Sequence, residues 1–223
     1  MRGDSDRIIV VGDVHADYSS LNQFINRQQP TLLIACGDFG FWPKFRPPLH
    51  DLKPGDCKVL FAEGNHEDYA SLPDTRSPTE VMPGLTWQPR GSTHVLPDGR
   101  TILFMGGAAS IDREFRTKGE NVSEAGWFER EIIDASDMAA LPDCKVDIVI
   151  SHTCPAEFPI PLNLSPCNDP SRWRLSSVLD RYRPKLWYFG HFHVHCFGQA
   201  IGCRWRGLPC LGDPYGWREL DRA

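Results

Sequence analysis

The sequence predicts a mixed α/β fold in which two sheets pack face to face. Three observations carry that expectation. Short apolar runs without polar alternation, such as Ile8-Ile9-Val10-Val11 and Val146 to Ile150, have the character of strands covered on both faces. In the first third of the chain such runs alternate with a helical pattern, which begins a sheet with crossover connections. Most of the remaining chain has the punctuation of hairpins, which adds a second sheet.

The elements run in order. Residues 7 to 11 form a buried strand. A helix is expected over Asp17 to Gln29, with Leu21, Phe24 and Ile25 at helical spacing, Ser19 or Ser20 as cap and Pro30 as stop. Thr31 to Cys36 and Cys57 to Ala62 are two further strands, separated by a proline-rich loop over Phe41 to Pro54. Residues 68 to 92, rich in Pro, Ser, Thr and Gly, read mostly as loop. Thr93 to Leu96 and Thr101 to Met105 flank Pro97-Asp98-Gly99-Arg100 as a hairpin. Gly106 to Ser110 is a flexible turn into Ile111 to Arg116. A second helix is expected over Ser123 to Asp134, its apolar face formed by Trp127, Phe128 and Ile132. Then come the strand Val146 to Ile150, a proline-rich loop over Pro155 to Pro170, a helix Arg172 to Tyr182 and a strand Lys185 to Phe189. Val194 to Ala200 and Arg204 to Leu208 make a terminal hairpin, and the tail shows no pattern. No repeat and no long linker divides the chain, so residues 1–223 are expected to form one domain.

Composition narrows the function classes. A net charge of −5 and a pI near 5.9 argue against general binding to duplex nucleic acid, which demands clustered Lys and Arg. No apolar run approaches the ~20 residues of a membrane span. The polar start Met1 to Asp6 lacks the apolar core of a signal peptide, so a cytoplasmic location is expected. The eight Cys residues form no C-x-x-C pair and read as free thiols, mostly buried, in a reducing compartment.

Five short stretches of Asp, His, Asn and Gly each follow an apolar run. They are Gly12-Asp13-Val14-His15, Gly37-Asp38, Gly64-Asn65-His66-Glu67, Ser151-His152 and Gly190-His191-Phe192-His193. Asp and His suit borderline-hard divalent metals. Asp13 and His15 lie one residue apart, as do His191 and His193, so in extended geometry each pair would share a face. Asp13, His15, Asp38, Asn65, His152, His191 and His193 are too many ligands for one zinc, and they suit two ions sharing a carboxylate. All fall at the carboxyl ends of strands, where sites form in open α/β sheets.

These blocks, in this order, resemble the calcineurin-like metallophosphoesterase family: D-x-H, G-D, G-N-H-[DE], H and G-H-x-H, here spread over residues 12 to 193. The resemblance implies a four-layer αββα sandwich of two mixed sheets with helices outside. It implies that Asp13, His15 and His193 hold one ion, that Asn65, His152 and His191 hold a second, and that Asp38 bridges them. The cofactor expectation is two divalent ions, manganese first, with iron, zinc or nickel as alternatives. The implied reaction is hydrolysis of a phosphomonoester or phosphodiester, a small molecule or nucleotide, with His66 as general acid or donor to the phosphoryl group. Glu67 or Asp17 would orient His66. The runner-up is a non-catalytic, metal-stabilised scaffold of the same fold that binds a protein.

The chain departs from the protein Ser/Thr phosphatases of that superfamily. Their second block continues with Asp-Arg, whereas Gly37-Asp38 here leads into Phe39-Gly40-Phe41-Trp42, and Glu67 stands where they carry Arg. It looks more like the small bacterial or phage phosphoesterases. Substrate contacts are expected from Asn65, His66, Arg113 and Arg116, since arginine binds phosphate bidentately, with Asp112 on the same stretch. Phe41, Trp42 and Trp127 are candidates to stack a base. His195 is expected one step beyond the ligands on the same face, and Cys154 to be a packing thiol beside the site.

Overall fold

The computed structural model describes residues 7–44, 49–111, 113–115, 117–118, 126–161 and 169–221. Two six-stranded sheets share one plan. In the first, β1 (Ile8–Val11), β2 (Leu32–Ala35), β3 (Lys58–Phe61) and β5 (Leu85–Trp87) run parallel, with β14 (Trp217–Glu219) and β4 (Thr79–Met82) antiparallel at the edges. In the second, β13 (Cys203–Gly207), β11 (Leu186–Phe189), β10 (Ile148–Ser151) and β7 (Thr101–Met105) run parallel, edged by β12 (Cys196–Ala200) and β6 (Thr93–Val95). A short pair joins β8 (Thr117–Lys118) to β9 (Gly126–Trp127).

The unbroken apolar runs are explained by what each face meets. Successive strand side chains point to opposite faces. Val10, Ile34 and Leu60 pack against Ile102, Phe104, Ile148 and Ile150 of the other sheet. Their neighbours Ile9, Val11, Leu33 and Val59 meet Leu21, Phe24 and Ile25 of α1 (Tyr18–Gln28). On the far side Leu103, Val149 and Trp187 meet Leu175, Val178 and Leu179 of α3 (Pro170–Tyr182). The result is the expected four layers, helix on sheet on sheet on helix.

Several local expectations are corrected. Asp17, not Ser19 or Ser20, caps α1, its carboxylate accepting the Ser20 N–H at 3.0 Å. The described part of 123–134 is not helical. It holds β9, a 3-10 turn over Glu129–Glu131 and then Asp134, which caps the short α2 (Ala135–Ala139). Phe128 is buried in the core beneath α1 and Ile133 in the core beneath α3. A chain crossing between two cores in so few residues needs more rise per residue than a helix gives. The stretch 68–92 contains β4 and β5, joined at Pro83-Gly84 with Gly84 at φ 80°. The tail supplies β14, held against β1 and by Trp217 on Phe24 at 5.3 Å. Among the described residues no helix is long and apolar enough to cross a membrane.

One buried ion-pair cluster fixes the loops after β3, β5 and β7 relative to one another. Arg90 pairs with Glu63 and with Asp137, each at 2.9 Å. It also donates to the carbonyls of Arg130 (2.7 Å) and Ile132 (2.8 Å). Glu63 in turn accepts from Trp87 Nε1 at 2.9 Å, and its carbonyl accepts the Gly107 N–H at 2.7 Å. Arg90→Ala strands the buried Glu63 carboxylate, and the expected loss is about 3–5 kcal/mol in urea unfolding. Arg76→Ala breaks only solvent-facing contacts, the pair to Asp137 at 3.4 Å and a bond to Ser136 Oγ at 3.1 Å, and the expected loss is within ~1 kcal/mol in the same measurement.

Candidate metal centre

The carboxyl ends of β1, β2 and β3 meet those of β10, β11 and β13 along one rim, and the motif residues occupy the turns there. These turns are stitched to one another. The N–H groups of Val14 (3.0 Å) and His15 (2.7 Å) both donate to the Asp38 carbonyl. Gly190 N–H donates to the His152 carbonyl at 2.9 Å. Two motif glycines are required by close approach: a Cβ on Gly64 would overlap Asp38 Oδ1, and a Cβ on Gly190 would overlap Asp13 Oδ1.

The pairs Asp13/His15 and His191/His193 come together by a route the spacing did not suggest. They are not in extended strand. His15 (φ 48°), Asp38 (φ 40°), His191 (φ 69°) and His193 (φ 52°) all have left-handed backbone. Such conformations cost about 1–3 kcal/mol each in a non-glycine residue and persist where the surroundings over-determine them.

All seven predicted residues converge. Asp13 Oδ2 lies 3.0 Å from His193 Nε2, and Oδ1 lies 3.8 Å from His152 Nδ1. The two Nε2 atoms of His15 and His193 face each other at 3.1 Å. Asp38 stands between the two halves, 3.8 Å from His15 Nε2 and 3.3 Å from His152 Nε2. Asn65 Oδ1 is 3.0 Å from His152 Nε2, and the His152 and His191 rings meet edge to face at 4.8 Å.

The donor chemistry fits divalent cations. His152 Nδ1 lies 3.1 Å from the Cys36 carbonyl, so Nδ1 is the N–H side of the ring whenever Nε2 carries no proton. Nε2 then presents a lone pair to Asn65 Oδ1 and Asp38 Oδ1. Three lone-pair atoms facing one point need a proton or a metal among them. Asn65 is oriented for this by its amide N–H to Ser110 Oγ (3.3 Å), and Ser110 is held in turn by Glu131, through Oγ at 3.1 Å and N–H at 2.9 Å. Such supporting contacts set ligand direction.

The electrostatics agree. Burial alone would raise the Asp38 carboxyl, yet His152, His66 and His15 hold it well below the usual carboxylate range. Burial alone would lower His152, yet Asp38 and Asp13 raise it to about 9. His193 rises to about 10, first through its bond to Asp13. His191, desolvated and beside His152, is pushed well below its ordinary value. A site that gathers positive charge this strongly suits a cation.

The remaining expectations divide. His66 lies at the rim with its ring 5.3 Å from that of His15, and its N–H donates to Asp38 Oδ1 at 2.8 Å. Neither proposed orienting carboxylate is committed to its ring. Asp17 caps α1. Glu67 accepts the N–H groups of Phe39 (2.7 Å), Phe41 (2.5 Å) and Gly64 (3.4 Å). Burial, then the charge of Asp38, push the Glu67 carboxyl up, and those backbone donors pull against the shift. Phe41 and Trp42 are buried in the core under α1, so they are not stacking platforms. Arg113 lies over Trp127 at 3.6 Å. Asp112 and Arg116 lie outside the described residues. His195 is exposed and stacks on Tyr215 at 4.4 Å, away from a strand face. Cys154 is a packing thiol in the core under α3, its pKa raised by burial.

Sequence reasoning missed Cys210, whose thiol joins Asp13, His15 and His193 in a group with all ligand atoms within 4.8 Å of one another. Burial raises its pKa, but the imidazoles of His15 and His193 outweigh this and the net shift is downward. Its signal was present: Leu208-Pro209-Cys210 follows a strand, as the other blocks do. The Ser110–Glu131 support had no local signal.

Two stacked mixed sheets between helices, with an Asp/His cluster at the strand ends, define an αββα metallophosphoesterase scaffold. The calcineurin-like phosphoesterase family model matches residues 6–195, and the chain belongs to that family. No curated protein matches it in sequence. Solved structures with a similar fold include TT1561 of Thermus thermophilus, at 10% identity, 93% of this chain, 91% of that one and TM-score 0.51. Another is phosphopantetheinyl hydrolase (PptH) from Mycobacterium tuberculosis, at 15% identity, 96% and 95% coverage and TM-score 0.53. At these identities the likeness is one of fold.

Glu67→Ala tests the corrected role of that carboxylate. It orphans three buried backbone N–H groups, and thermal or urea unfolding is expected to show a loss of at least about 1.5–3 kcal/mol. An unchanged stability would return Glu67 to the list of residues acting through His66.

Proposed function

We propose that this phosphoesterase is a dinuclear enzyme that hydrolyses a small phosphoester or nucleotide. The observation that carries the reading is the position of Asp38, within 4 Å of imidazole nitrogens on both sides, His15 and His152. Asp13, His15 and His193 would hold one ion, Asn65, His152 and His191 the other, with Asp38 shared. Divalent ions so held supply Lewis acidity toward a phosphoryl oxygen and lower the pKa of water toward neutrality.

The chain's own residues do the rest. His66 stands at the open rim, its backbone fixed on Asp38, so its imidazole can give a proton to the departing oxygen. Asn65 and His66 share one turn, so the group that orients a phosphoryl oxygen is tied to the group that serves the leaving group. Arg113, steadied on Trp127, begins three residues beyond Ser110, which touches Asn65, and offers charge to an anionic ester. Residues 1–223 act as one domain in this reading.

Turnover of p-nitrophenyl phosphate and its bis ester with added manganese tests the proposal. Chelation should abolish it and readdition restore it. Asp38→Asn is expected to lose bound metal and nearly all activity. His66→Asn is expected to keep its metal and lose ~10²–10⁴-fold in kcat. Full metal content without turnover of either ester would favour the scaffold reading, and an Asp38→Asn protein with undiminished rate would end the bridging role.

A further inference from the structure

We propose that Cys210 is a thiolate ligand to the ion held by Asp13, His15 and His193, and that this half of the centre is thereby tuned toward zinc, iron or cobalt rather than manganese. The inference rests on the proposed metal-centre reading and goes beyond the seven Asp, Asn and His donors. Residue 210 also lies beyond the part of the chain that the family model matches.

Placement argues for the assignment. The Cys210 Sγ, one oxygen of Asp13 and one nitrogen each of His15 and His193 all lie within 4.8 Å of one another. The loop that carries the thiol is built onto the same ligands. Leu211 N–H donates to the Asp13 carbonyl at 2.9 Å, so the residue after the thiol is bonded to the residue that offers the carboxylate. Asp213 N–H closes a turn on the Cys210 carbonyl at 2.9 Å, and Gly12 N–H donates to the Gly216 carbonyl at 2.9 Å. Gly12 and Gly216 both lack the Cβ that would overlap this loop, at the carbonyls of Pro209 and Cys210 respectively. The first motif glycine is therefore needed to admit the Cys210 loop.

The other described cysteines behave differently. Cys36, Cys57, Cys154, Cys196 and Cys203 are buried as packing thiols, and Cys144 is exposed. Cys210 is half-buried, among nitrogen and oxygen donors. On binding, the S–H proton passes to solvent and a sulfur–metal bond forms. Thiolate is a soft donor, which favours zinc, iron and cobalt over manganese.

The test uses cobalt(II) as a probe of the full chain, with metal per chain measured by mass spectrometry. Cobalt-loaded protein should show a thiolate-to-cobalt charge-transfer band in the near ultraviolet beside the visible d–d bands. Cys210→Ser should lose the ultraviolet band and keep d–d bands, while Cys144→Ser keeps both. Zinc affinity of Cys210→Ser should fall by at least ~10–100-fold, the loss seen when a residue merely supporting a ligand is removed. Cobalt bound with d–d bands but no charge-transfer band overturns the Cys210 assignment alone. No cobalt bound overturns the metal-centre reading beneath it as well. Should Cys210→Ser fail to fold, alkylation of the unaltered protein decides: zinc should protect Cys210 and leave Cys144 reactive, and equal labelling with and without zinc overturns the assignment.

Discussion

Two carboxylates, Asp13 and Asp38, are withdrawn from water at the seam where the sheets meet, and much of the molecule follows from keeping them there. An isolated buried carboxylate costs several kcal/mol even after relaxation. Each has a backbone N–H aimed at it, from His191 at 3.0 Å for Asp13 and from His66 at 2.8 Å for Asp38. Each also faces imidazoles from the opposite sheet. These contacts exist only if the two sheets stack with their carboxyl ends at one rim. The parallel centres of the two sheets together deliver six turns to that rim, three from each, and the antiparallel strands stay at the edges. The left-handed backbone at His15, Asp38, His191 and His193 is tolerated because neighbouring turns hold it.

The inner parts of this arrangement were legible in the sequence, and the reason is physical. β1, β2, β10 and β11 are covered on both faces, so all their positions but Ser151 at the end of β10 are apolar and the run is unmistakable. The candidate ligands follow those runs closely, so finding the strand located the Asp, Asn or His that converges at the rim. Edge strands carry no such signature. Thr79–Met82 and Trp217–Glu219 are half-exposed, and pairing with a neighbour rather than their own composition makes them strands. The segment 126–133 misled because Trp127, Phe128 and Ile132 sit at helical spacing, while Phe128 and Ile133 serve two separate cores. Spacing also explained the D-x-H and H-x-H pairs by the wrong geometry. Residues one apart do reach a common point, but through left-handed turns instead of a shared strand face.

Contacts between distant segments were the hidden part of the site. Glu67 sits inside the third block and looks like a partner for His66, yet it spends its oxygens on the backbone of the β2 turn. Ser110 and Glu131 direct Asn65 from two stretches with no motif. Cys210 lies in a turn whose only distinction, before folding, is to follow a strand.

The centre is asymmetric, and the asymmetry bears on access. His152 is wholly buried, and His191 nearly so, whereas the side chains of His15 and His193 are 31% and 49% exposed. Solvent therefore reaches the cluster from the His15 side, where His66 also stands, and on the proposed reading substrate enters there. On the proposed reading the Asn65–His152–His191 half is shielded from exchange by the sandwich itself, and its grip comes from burial. The open half has no such shield. A donor that binds more strongly than carboxylate or imidazole is of most use there, and the loop bonded through Leu211 to Asp13 places a thiol at that open half.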